Sequence, residues 1–119
     1  MKPYVSEILE HDGKTHAIPI PAKYRELLDC VRALGLKDSA DEDDMRLVGY
    51  KALHVPEPDM CYPRYEVEKT AIELSKLSEA QVMAIATLCE AFALPYGDIM
   101  GILSYIYPYL QKEDYDYED

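Results

Sequence analysis

The pattern of apolar and polar positions begins with two extended runs, over residues 4–10 and 15–20. Between them lies Asp12-Gly13, a dipeptide that tolerates the positive φ angles of a tight turn. The sequence therefore predicts a β-hairpin. Pro19 and Pro21 are expected to end its second strand, because proline has no backbone N–H to donate to a neighbouring strand. A third strand is predicted over residues 46–53, in "MRLVGYKALHV".

The first predicted helix follows the hairpin. Pro21 suits a first helical turn, and Gly35 is placed to end the helix in the left-handed conformation. Apolar residues recur between them at helical spacing and predict one buried stripe: Tyr24, Leu27, Leu28, Val31 and Leu34. The acidic segment 38–44 is expected to be a solvated loop, and the proline-rich "PEPDMCYP" an irregular connection.

The second half of the chain predicts further helices. Residues 65–77 fit the face of a helix, although one side of a strand also fits part of the pattern, and the helix is preferred. Ser78 and Gln81 have the spacing of a capping box. The helix that they open, over residues 79–94, carries only two charges, which predicts burial on several sides, at the centre of the fold or in an oligomer interface. Pro95 and Gly97 are expected to end it, and Asp98 to cap a last helix that Pro108 disrupts.

These elements predict an α+β fold, in which a small antiparallel sheet of about three strands packs with three or four helices. We expect one domain over residues 1–111, followed by an acidic C-terminal tail over residues 112–119. The 119-residue chain is 49% apolar and 29% charged, a globular composition. No apolar segment has the length of a membrane span, and no apolar leader follows Met1, so a cytoplasmic location is expected.

The charge of the chain restricts its partners. With 23 acidic against 12 basic residues, its formal net charge is −11. Such a charge repels nucleic acid and anionic lipid, whereas it attracts basic protein surfaces. The sequence therefore predicts neither direct nucleic-acid binding nor membrane binding.

The sequence has no recognisable catalytic or metal-binding pattern. Cys30, Cys61 and Cys89 lack the spacing of a zinc site, and Cys30 and Cys89 fall in apolar stripes, where cysteine packs as a small hydrophobe. The spacing of the three histidines predicts no convergent ligands: His11, His16 and His54. The segment 38–44 lacks the glycine of a calcium loop, and the five glycines form no phosphate-binding motif. We therefore expect a non-enzymatic protein without a cofactor.

Ten of the 23 acids lie in two clusters. Runs of like charge are mostly solvated loops or tails, and this reading stays open. The alternative is that the clusters imitate a polyanion and bind a basic partner, since closely spaced carboxylates approach the charge density of DNA. The candidate partner-binding residues are Asp38, Asp41, Glu42, Asp43, Asp44, Glu113, Asp114, Asp116, Glu118 and Asp119.

The order of these segments resembles that of ArdA-type antirestriction proteins. The segments that carry the resemblance are "HAIPIPAKYRELLDCVRALGL", "MRLVGYKAL", "LSEAQVMAIATLCEAF" and "YGDIMGILSYI". Val82, Ile85 and Ala86 fall where that family has a leucine–leucine–alanine spacing. Over about residues 15–107 the resemblance implies a DNA-mimicking protein of mobile genetic elements. It also implies binding in the DNA-binding groove of a restriction–modification enzyme, often as a dimer.

The sequence therefore indicates two possible functions. The first is an antirestriction-like inhibitor whose carboxylates replace phosphates in a partner's basic groove. The alternative is an interaction or adaptor domain that self-associates or binds a partner through the apolar face of helix 79–94.

Overall fold

The computed structural model describes residues 2–105, which form three strands, four α-helices and two short 3₁₀ turns. The strands are β1 (Val5–His11), β2 (Lys14–Ile20) and β3 (Arg46–Ala52). The helices are α1 (Tyr24–Ala33), α2 (Arg64–Ser75), α3 (Glu79–Ala91) and α4 (residues 99–105). The 3₁₀ turns are Glu42–Asp44 and Tyr96–Asp98. The predicted α+β class is confirmed.

The three strands form one antiparallel sheet in the order β2-β1-β3. Asp12 (φ 50°) and Gly13 (φ 80°) make the predicted turn between β1 and β2. Pro19 does not end β2 but lies inside it, opposite Ser6. This is tolerated because β2 is an edge strand, where a missing N–H need not break a ladder. A register shift at Ile8/Leu9 interrupts the pairing of β1 with β3.

Helix α1 corrects two details of the prediction. It begins at Tyr24, so Pro21 precedes the helix instead of occupying its first turn. Tyr24 (75%) and Leu27 (47%) are exposed, and the buried residues come later in the helix, at Cys30 and Val31. The reason is that α1 packs against β2 at one edge of a narrow sheet, where Cys30 and the following Leu34 meet Leu9 and Ile18. Gly35 has the predicted left-handed conformation, with φ 78°.

The predicted capping box lies at the N-terminus of α3, directly after α2. The Ser78 hydroxyl accepts from the N–H of Gln81 (3.2 Å), and the Gln81 side-chain oxygen accepts from the N–H of Ser78 (2.9 Å). The preference for a helix over residues 65–77 is also confirmed. The main core lies where α2, α3 and α4 cover one face of the sheet, around Val67, Leu74, Ile85 and Ile99.

Within this chain helix α3 is buried on one side only, so the predicted burial at the centre of the fold is wrong, whereas burial in an oligomer interface stays a prediction. Val82, Ile85 and Cys89 face the core, whereas its other face is exposed and carries no charge over four positions: Ala80, Met83, Ala84 and Thr87. The helix ends at Ala91, before Pro95 and Gly97, because Ala93 adopts a left-handed conformation (φ 52°). Asp98 does not cap α4, since the 3₁₀ turn that Pro95 opens continues directly into it. Pro108 lies outside the described residues.

Candidate functional site

The acidic segment before β3 has a defined backbone. Asp41 is the N-cap of the 3₁₀ turn Glu42–Asp44, and its carboxylate accepts from the N–H of Asp43 at 2.9 Å. The Asp44 carboxylate accepts from the N–H of Asp41 at 3.0 Å. These reciprocal bonds hold the turn while all four side chains are exposed. The segment is therefore an ordered acidic turn.

Strand pairing brings this turn against the β1–β2 hairpin. Glu10 of β1 lies opposite Arg46 of β3, so the residues just before β3 lie beside the hairpin turn. His11 Nδ1 donates to the carbonyl oxygen of Asp44 at 3.0 Å. Between them is an open groove of about 520 Å³. Five acids line it, and we call them the acidic surface: Glu10, Asp12, Glu42, Asp43 and Asp44.

Neighbouring arginines are bound by acids of the chain itself. Arg46 pairs with Glu10 at 2.7 Å, and Arg32 pairs with Asp38 at 2.9 Å. The pKa of Glu10 is lowered, first by the N–H of Gly13 and then by Arg46. The pKa of Asp38 is lowered by its hydrogen bonds from Arg32. These cations are therefore already partnered.

Three acids of the acidic surface lie outside the ion pairs with lysine or arginine. Among residues 2–105, no lysine or arginine forms an ion pair with Asp12, Glu42 or Asp43. Setting aside the five acids and one base of residues 106–119 leaves 18 acids and 11 bases, a formal charge of −7. The described part of the chain is therefore acidic without its C-terminal segment.

A second charged cluster is largely inside the fold. Glu7 is 7% exposed and accepts from Arg64 Nε at 2.6 Å, and Arg64 also lies 3.2 Å from Glu68. The pKa of Glu68 is raised, first by burial and then by the charge of Glu7. Tyr50 lies opposite Glu7 in the sheet, and its buried hydroxyl has no hydrogen-bond partner among the described residues. This cluster ties α2 to the sheet and has the character of a structural ion pair.

The structure places the predicted site residues in different regions. Asp38 forms an ion pair with Arg32 at the C-terminal end of α1, whereas residues 41–44 lie beside the hairpin. Glu10 and Asp12 of the acidic surface were missed, because the sequence did not indicate that β3 pairs with β1. The tail residues lie outside the described residues: Glu113, Asp114, Asp116, Glu118 and Asp119.

The reactive side chains are distributed through the fold. Cys30 and Cys89 are buried, and burial raises the pKa of both thiols. Cys61 is exposed, and its hydrogen bond to Asp59 raises the pKa of its thiol. Within residues 2–105, no three His, Cys, Asp or Glu side chains are grouped so that they could hold a metal ion. Nor does this part of the chain contain a helix long and apolar enough to cross a membrane.

Comparisons with protein-family models, curated proteins and solved structures give no match to this chain. The resemblance to ArdA-type proteins therefore stays a hypothesis.

Proposed function

We propose that this protein is a non-enzymatic inhibitor of the antirestriction type, which binds the DNA-binding groove of a basic partner in place of DNA. The observation that carries the proposal is the acidic surface, in which the hairpin and the turn before β3 present carboxylates on both sides of one open groove. Carboxylates in this position can pair with the lysines and arginines that otherwise hold phosphates.

The spacing of the acids supports this function. Residues of a 3₁₀ turn rise by about 2.0 Å each. Duplex DNA carries one charge per about 1.7 Å of its axis. The backbone of the three consecutive acids Glu42–Asp44 therefore rises per residue by a distance close to the charge spacing of DNA, over a short length. Asp12, 86% exposed, adds a carboxylate from the opposite side of the groove.

The order of the turn lowers the cost of binding. Fixing a flexible residue costs about 1–2 kcal/mol in backbone entropy. The carboxylates of Asp41 and Asp44 already hold the turn through hydrogen bonds to the backbone. Binding therefore removes little further backbone entropy from this segment. The tail acids remain predicted contributors, with Glu113 the first of them.

The experiment is a competition assay against duplex DNA bound to a Type I restriction–modification enzyme. One triple variant removes charge from the acidic surface while sparing the two capping aspartates: Asp12→Asn, Glu42→Gln and Asp43→Asn. Asparagine also tolerates the left-handed backbone of position 12. We expect this variant to need at least tenfold more protein for the same displacement.

A matched control changes three exposed acids elsewhere: Asp29→Asn, Glu57→Gln and Glu90→Gln. Both triple variants change the net charge by the same amount. A difference between them therefore reports where the removed charges lie and not how many were removed. Equal weakening by both triple variants would show that only the total charge matters and would contradict a defined binding surface.

A second function is favoured by the uncharged outer face of α3. Met83 is 44% exposed there, and Phe92, directly after the helix, is 69% exposed. Such a face suits self-association or an adaptor contact. Sedimentation at high salt tests it, because an apolar assembly persists in salt whereas a charge-driven complex dissociates. A Met83→Asp variant should remove the apolar assembly and leave DNA competition unchanged.

A further inference from the structure

A cavity of about 290 Å³ lies between α2 and the segment that leads into α4. Three tyrosines line it, one from each of the surrounding segments: Tyr62 from the connection before α2, Tyr65 from α2 and Tyr96 from the 3₁₀ turn. Met100 and Val67 add apolar surface. The acidic surface does not include any of these residues, so the cavity is a separate feature.

Close packing fixes one wall of the cavity. A Cβ atom at Gly97 would lie 2.6 Å from Cε1 of Tyr62, so only glycine leaves room for this ring. The Tyr96 hydroxyl donates to the carbonyl oxygen of Val67 at 2.8 Å and ties the 3₁₀ turn to α2. Two of the three tyrosines are therefore held in place without a ligand.

The cavity also contains a largely buried polar side chain, that of Thr70. Thr70 lines it and is only 5% exposed. The hydroxyl oxygen of Thr70 can accept a hydrogen bond from a ligand that donates one.

The lining favours a flat cation that donates hydrogen bonds. The hydroxyl proton of Tyr96 is engaged by Val67, so its oxygen can only accept a further bond. Glu66 contributes a carboxylate, and Lys69 a cation, to the same cavity. Tyrosine rings attract a guanidinium through their faces, while Met100 and Val67 can contact the methylene stem of an arginine. Five N–H donors make guanidinium better suited than ammonium to several separate acceptors.

We propose that this cavity binds one arginine side chain of the basic partner as an anchor for the complex. This inference rests on the proposed function, because it takes the arginine from the same partner that the acidic surface attracts. Buried arginines that fill a pocket often dominate the affinity of an interface, whereas charges at its rim mainly speed association.

The first test titrates the full chain with a Gly-Arg-Gly peptide and follows backbone amide signals by NMR. We expect saturable shifts at Thr70 and Gly97, with binding at least tenfold weaker for the matched peptide that contains citrulline, the neutral analogue of arginine. A lysine peptide should also bind more weakly. Equal binding of the citrulline peptide, or shifts confined to the acidic surface, would overturn the proposal.

Two variants test the cavity directly. Gly97→Ala forces the ring of Tyr62 to move, and Tyr65→Ala removes a ring that is 71% exposed, so the second variant is expected to keep the fold. Both should weaken arginine binding at least tenfold. The control is Tyr24→Ala, which removes a 75% exposed tyrosine from α1 and should have no effect. Undiminished binding by a folded Tyr65→Ala variant would contradict the assignment.

The same variants separate this proposal from the proposed function. If arginine binds the cavity but the protein fails to displace DNA, the inhibitor function fails and the cavity assignment stands. If the wild-type protein and the Tyr65→Ala variant displace DNA equally well, the result supports the inhibitor function and contradicts the proposal that the cavity anchors the partner.

Discussion

Two buried tyrosines should respond in opposite ways to loss of the hydroxyl group. Tyr50 is 5% exposed, and its hydroxyl has no hydrogen-bond partner among the described residues. Tyr96 is 2% exposed, and its hydroxyl donates to the carbonyl oxygen of Val67 at 2.8 Å. Phenylalanine preserves the ring at either position. The two substitutions therefore isolate one hydroxyl group each.

The expected changes in unfolding free energy follow from these contacts. A buried polar group without a partner costs about 1–3 kcal/mol, so Tyr50→Phe should stabilise the protein by about 1 kcal/mol. A satisfied hydrogen bond contributes about 0.5–1.5 kcal/mol, so Tyr96→Phe should destabilise it by a similar amount. Urea unfolding followed by far-UV circular dichroism measures both changes on the same scale.

Alkaline pH gives a second readout of the same pair. Burial raises the pKa of both phenols, and Glu7 raises that of Tyr50 further. A raised folded-state pKa contributes stability below the unfolded value of about 10, and this contribution is lost as the pH rises through the folded pKa. Either variant should lose less stability than the wild type above pH 10. A Tyr50→Phe protein less stable than wild type by 1 kcal/mol would refute this account of its hydroxyl.

Three further substitutions test other contacts. Arg64→Met leaves the carboxylate of Glu7 buried without its cation and should cost about 1–3 kcal/mol in unfolding free energy, less than for a fully buried pair because the Arg64 side chain is 41% exposed. Arg32 lowers the pKa of Asp38, so their ion pair stabilises the fold above the usual aspartate pKa, and this stabilisation is lost as the pH falls through the pKa of Asp38 in the folded protein. The Asp38→Asn variant should therefore lose less thermal stability on acidification than the wild type. Ser78→Ala should cost about 1 kcal/mol in urea unfolding, because it removes the N-cap of α3.

Each of these substitutions has a control of the same chemistry. Lys76→Met breaks an exposed ion pair with Glu73 and should change stability by less than Arg64→Met. Asp29→Asn removes an exposed acid without a close ion pair in the described residues, and Ser39→Ala removes an exposed loop hydroxyl. If a control changed stability by as much as its test variant, that result would contradict the structural reason given for the test variant.

Local chemistry made part of the fold predictable from the sequence. Asp12-Gly13 and the Ser78–Gln81 capping box each depend on neighbouring residues, and both are confirmed. Periodicity identified α1 but placed Tyr24 in its buried stripe, because spacing shows which residues share a face and not how far the opposing sheet extends. The one-sided burial of α3 was missed for the same reason.

The candidate site was predictable only in part. The acids of 41–44 were evident as a charge run, whereas their meeting with Glu10 and Asp12 depends on the pairing of β3 with β1 across more than 30 residues. Glu7 carries a weak signal, a charged residue between Val5 and Leu9 at alternating positions of a strand. The cavity at Thr70 brings together three separate segments, and no local pattern indicates it.

The most direct test of the central claim is the displacement of duplex DNA from a Type I restriction–modification enzyme, measured at low and moderate salt. We expect displacement at low salt that weakens steeply as the salt concentration rises, with a smaller salt dependence for the Asp12→Asn, Glu42→Gln, Asp43→Asn variant. No displacement at either salt, or displacement that this variant leaves unchanged, would contradict the account.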